Sequence, residues 1–159
     1  MNIFVLDLDP ILAARMACDK HVVKMVLESS QLLCSPYENT APYKRSHYNH
    51  PASKWTRESK QNYEWLIKYA EELSREYSYR YGKIHKSSSV ISWCTDNIEK
   101  IKFNSEILTE HAQCFGDFFE QCYTPNNPVE GYKKYYKIAK KHILKYTKRE
   151  IPNWLDNAL

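Results

Sequence analysis

An all-α fold is the class this sequence predicts, and three observations predict it. Glycine is scarce, at 3 of 159 residues, while Lys, Glu, Leu and Ala are plentiful, a balance that favours helix over sheet. Apolar residues recur at spacings of three and four after Asp19 and again after Tyr63. Proline follows a capping residue at Asp9-Pro10 and at Asn127-Pro128, the local chemistry of a helix start. The expected architecture is an irregular bundle of about five or six helices in a single domain over 1–159, with a Tyr- and His-rich loop after the second helix.

In chain order, Asn2 to Leu8 reads as a short extended segment or strand, given Ile3, Phe4 and Val5. A first helix is predicted from Pro10 to about Ala17, and a second from an Asp19 cap to about Leu33, stopped by Pro36. Residues 35–51 form a loop rich in turn formers and carrying Tyr37, Tyr43, His47, Tyr48 and His50. Pro51 opens a long helix to about Tyr81, with Gly82 as its stop. Further helices are expected over Ser87–Phe103 and Ile107–Gln121. After the Thr124–Pro128 break a last one runs from Val129 to about Tyr146, before Ile151-Pro152.

Composition narrows the setting. Hydrophobic residues at 43% and charged residues at 26% are ordinary for a globular protein, and the net charge is a modest +4. Aromatics reach 14%, with 13 Tyr and 4 Trp, more rings than a core of this size needs. The 5 cysteines are odd in number and contain no CxxC pair, which predicts reduced thiols in a cytoplasmic compartment and no zinc site. Asp7 and Asp9 interrupt the only apolar opening, and no apolar run nears the roughly 20 residues of a membrane span. Neither a metal nor an organic cofactor is implied.

The most informative stretch lies in the second helix. At about 100° per residue, Lys20, His21, Lys24, Glu28 and Gln31 fall in one narrow arc, and nearly everything else there is apolar. Such a helix is buried on most sides and opens its polar line onto a cleft. An imidazole, a carboxylate and amines on that line suit acid–base or amine chemistry. The same pattern fits a core helix with one wetted edge, or a Lys24–Glu28 surface pair. Three other clusters read as nucleic-acid contacts. Asn49 and His50 lie in the turn before Pro51. Arg80, Lys83, His85 and Lys86 form a basic run at a helix end. Tyr132, Lys133, Lys134, Tyr135, Tyr136 and Lys137 open a stretch to Arg149 that contains eight cations and no acid. Each also fits a plainer role: a capped turn, a helix terminus complementing its dipole, a solubilising face.

These motifs together resemble the pyrimidine-dimer DNA glycosylase family of the phage endonuclease V type. That family is helical and carries Asp-x-His with a glutamate nine positions after the aspartate, matched here by Asp19, His21 and Glu28. Its aromatic-basic terminal motif is similar to Tyr132-Lys133-Lys134-Tyr135-Tyr136-Lys137, and the Asn-His-Pro turn of bacterial relatives to Asn49-His50-Pro51. All three cover under a fifth of the chain. The resemblance implies attack by a protein amine on the sugar of a damaged nucleotide, assisted by Glu28, with DNA as partner. The amine is that of Met1 or of Lys24, and His21 positions the sugar. α-Amines as a class titrate at about 8, so an appreciable fraction is nucleophilic at neutral pH. The chain departs from the phage pattern at Met1-Asn2, where a threonine is exposed in the family, and at Leu27 and Gln31, which replace arginines. The expected function is a DNA glycosylase with lyase activity. The alternatives are a non-catalytic nucleic-acid-binding protein and an enzyme acting on free nucleotides.

Overall fold

Among residues 1–158, which the computed structural model describes, there are seven α-helices and no strand. Helix α1 (Pro10–Arg15) starts where expected: Asp9 Oδ1 accepts from the Ile11 N–H at 2.8 Å, and Pro10 needs no partner for the proton it lacks. Helix α2 (Asp19–Cys34) buries most of its circumference. The 22-residue helix α4 (Lys60–Tyr81) is the axis of the bundle, packing against α1, α2, α3 (Pro51–Glu58) and α5 (Ser88–Asp96). It ends on Gly82, whose φ of 65° is the left-handed cap that a side chain would strain.

The helix expected over residues 51–81 is broken at Ser59. That residue is extended, at φ −145° and ψ 161°, and its hydroxyl accepts from the Asn62 N–H at 3.1 Å. Asn62 Nδ2 in turn donates to the Trp55 carbonyl at 2.8 Å, so a cap for α4 and a stop for α3 come from neighbouring side chains. Past α5, Asn97 Nδ2 donates to the Trp93 carbonyl and the helix closes in a 3₁₀ turn at Ile98–Lys100. Residues 101–115 are irregular rather than helical. Their polar groups bond to α4 instead: the Lys60 N–H donates to the Ser105 carbonyl, and the Thr109 N–H to Asn62 Oδ1. Only Gly116–Phe118 and α6 (Phe119–Cys122) wind up in the stretch expected to be helical to Gln121. Helix α7 (Pro128–Ala139) is capped by Asn127, which accepts from the Glu130 N–H.

The N-terminal segment pairs with no other strand. Ile3, Phe4, Val5 and Leu6 are all buried, running through the core between the helices. Among the described residues no helix is long and apolar enough to cross a membrane.

Candidate active site

The polar line of α2 divides in two. Lys20 and Lys24 stand in solvent beside exposed Val23 and Leu27, whereas His21 and Glu28 are turned inward. Glu28 is 8% exposed and is approached from three directions. The Met1 α-amine lies 3.7 Å from Oε2, Lys24 Nζ lies 3.4 Å from Oε1, and the Asn2 backbone N–H donates to Oε2 at 3.2 Å. Two primary amines thus share one nearly buried carboxylate.

Asn2 fixes the amine in place. Its Nδ2 donates to the Cys114 carbonyl at 2.8 Å, and its Oδ1 accepts from the Ile3 N–H at 2.8 Å. The Tyr132 hydroxyl lies 2.7 Å from Asn2 Oδ1 and 3.0 Å from the Ala112 carbonyl, and it accepts from the Cys114 N–H at 3.1 Å. The start of the chain is therefore stitched to α7 and to the irregular 101–115 segment. Neither Asn2 nor Cys114 was marked as a site residue by the sequence. Asn2 carries a weak signal as the polar residue just before a buried apolar run; Cys114 carries none.

Two histidines of the candidate set are held neutral. His21 stacks on Phe4 with centroids 3.9 Å apart, and its Nδ1 lies 2.6 Å from the Tyr136 hydroxyl. Burial, then Lys140 and Lys24, push its pKa down to about 3. The Tyr136 hydroxyl accepts from the Cys18 N–H and shares a hydrogen bond with His21 Nδ1. His50 accepts the Ala52 N–H on Nδ1 at 3.1 Å and so carries its proton on Nε2. Its pKa is lowered by burial first, then by the Met1 amine and His47, with Glu28 opposing.

The remaining nucleic-acid candidates separate by burial. Arg80 is corrected: its side chain is fully enclosed, donating to Asp19, Glu76 and the carbonyls of Ala17 and Arg15, so no donor faces solvent. Tyr132 and Tyr136 are corrected likewise, since both are 0% exposed and their hydroxyls serve the core rather than a base. His85 spends both ring nitrogens internally, on the Val23 carbonyl and the Ser87 N–H. Asn49, Lys83, Lys86 and Lys137 are exposed. Lys133, Lys134 and Tyr135 are half-buried, with Lys133 over the Trp154 ring and Lys134 donating to Thr124 Oγ1. Among the described residues no group of three or more His, Cys, Asp or Glu is placed to hold a metal ion.

Comparison with protein-family models, with curated proteins and with solved structures returned no match.

Proposed function

We propose that the chain is a DNA base-excision enzyme of the glycosylase type, with lyase activity, in which an amine held at Glu28 is the nucleophile. The observation that carries this reading is the pair of amines 3.4 and 3.7 Å from the two oxygens of one nearly buried carboxylate. A carboxylate so placed accepts the ammonium proton and frees the nitrogen lone pair. The amine adds to C1′ of the target sugar as the C1′–base bond breaks and the base leaves with the bonding pair. The departing base takes the surplus proton from the nitrogen, and the proton held on Glu28 passes to O4′ as the sugar ring opens to an iminium. The carboxylate so regenerated removes a C2′ proton, and elimination expels the 3′ phosphate. Water then hydrolyses the iminium and returns the amine. His21 and His50 are both neutral, and His50, with its proton on Nε2, is a donor suited to the sugar oxygens without adding charge. The resemblance to the endonuclease V type supports the same assignment of Glu28.

Borohydride reduction on duplex DNA with a single abasic site tests this. A covalent adduct is expected, and E28Q lowers its yield by about a hundredfold or more, the range of general acid–base contributions. Peptide mapping of the adduct names the amine, Met1 or Lys24. Absence of any adduct, or an E28Q protein that traps like its parent, refutes the reading.

A further inference from the structure

A second cluster lies in the turn before α3, and the chemistry at Glu28 leaves it unused. His47 adopts a φ of 50°, and the His50 N–H donates back to the His47 carbonyl at 3.0 Å, closing a tight turn over residues 47–50. The Tyr48 ring on this turn holds two guanidiniums, Arg57 at 3.6 Å from the centroid and Arg45 at 4.4 Å. Arg45 is fixed by donating to the Ser35 and Pro36 carbonyls, and Arg57 by donating to Ser53 Oγ at 2.7 Å. Neither has a carboxylate within ion-pair distance among the described residues. Beside them opens a hollow of about 320 Å³ whose wall includes Tyr48, Arg57, Lys100, Lys102 and Asn104 and no acid.

Like charges brought together without a counter-charge repel, and the ring faces that hold the guanidiniums do not neutralise them. Burial, with Arg45 adding to it, already disfavours the charge on Arg57. A polyoxygen anion resolves the conflict, because it accepts from forked guanidiniums and amines at once. We infer that this hollow is a phosphate pocket that grips a phosphodiester of the strand whose neighbouring sugar reaches Glu28, an assignment of the strand that rests on the function proposed above. Tyr48 and His50 share this turn two residues apart, so their Cα atoms are separated by at most about 7 Å.

Fluorescence anisotropy with a labelled duplex carrying a tetrahydrofuran abasic analogue tests the pocket without requiring any reaction. The R45Q/R57Q protein is expected to bind at least about tenfold more weakly, with a log–log salt slope shallower by about 1 to 2. K100Q/K102Q, altered only at exposed side chains, is expected to lose affinity and slope in the same sense. Should the arginine variant melt well below the parent, the lysine pair decides. Parent-like affinity and slope in a folded variant overturn the pocket. Inorganic phosphate and thymidine 5′-monophosphate serve as competitors, and millimolar displacement from the parent supports the shared phosphate chemistry. Binding of the monophosphate without binding of the duplex overturns the strand assignment. Failure of borohydride trapping with these affinities intact refutes the glycosylase reading alone.

Discussion

His111 is 5% exposed, stacked on Trp55 at 4.4 Å and edge-on to Trp65 at 4.4 Å, and its buried Nε2 has no hydrogen-bond partner. Burial pushes its pKa down from 6.5 to about 4, as burial with nearby lysines pushes that of His21 to about 3. The sign follows from which state takes the proton. Below 6.5 the unfolded chain binds protons that these two folded sites refuse, so their stability is full above that pH and drains away as pH falls toward 4. Each group contributes a slope of about 1.4 kcal/mol per pH unit while it lags. His111→Phe keeps a ring between the tryptophans and removes one titration. Urea midpoints measured from pH 7 to pH 4 are expected to fall less steeply in the variant than in its parent. Parallel curves would mean that His111 protonates in the folded state without cost.

Several helix starts and the Gly82 stop were legible at the scale of single elements, and the reason is local, whereas α5 ends at Asp96 rather than Phe103 and α7 at Ala139 rather than near Tyr146. Asp9, Asn127 and Gly82 act through bonds or backbone angles within a few residues, so their neighbours in sequence suffice to read them. Residues 101–115 were not legible, because the groups that satisfy their backbones lie on α4, at Lys60, Gln61 and Asn62 across the fold. The Ser59 cap is as local as that of Asp9, and it was hidden by the apolar spacing that runs on through the break. The candidate site divides the same way. Helical spacing put His21 and Glu28 on one line with Lys20 and Lys24 without separating the inward pair from the outward one, while the Asn2, Cys114 and Tyr132 stitching depends on chain closure over more than a hundred residues. Gly131 marks that closure on α7. A Cβ there would strike the Gln113 side chain, come within 2.9 Å of Phe115 Cζ and 3.1 Å of the Cys122 carbonyl. Alanine normally gains about 1 kcal/mol over glycine inside a helix, yet a backbone carbonyl does not swing aside as a long side chain does. Gly131→Ala is therefore expected to lower the melting temperature by several degrees, read by circular dichroism. A rise would show that α7 stands off the 111–122 segment.

The C-terminal fifth looks, by composition, like a cationic arm added to a helical body, and the packing gives it a different place. Tyr132 and Tyr136 send fully buried rings against Phe4, and Tyr136 also bonds His21, so α7 covers the very segment that carries Met1 and Asn2. Farther along, Thr147 bonds Asp19 through both its N–H and its hydroxyl, and Arg149 pairs with Glu76 at 2.6 Å beside the enclosed Arg80. The lysines of this stretch are what remains outside once its aromatic rings are taken into the core. A chain ended at Asn127 would expose Phe4, leave Asp19 and Glu76 with fewer partners in a poorly solvated setting, and lose the hydroxyl that holds Asn2. Thermal and urea unfolding of that fragment are expected to lack the single cooperative transition of the whole chain, with near-ultraviolet dichroism flattened while helical signal persists. Adding residues 128–159 in trans as a peptide should restore little, since the contacts are spread over α1, α2 and α4 rather than one groove. A fragment that instead unfolds in one sharp step close to the parent's temperature would make residues 128–159 a separable arm and detach α7 from the geometry at Glu28.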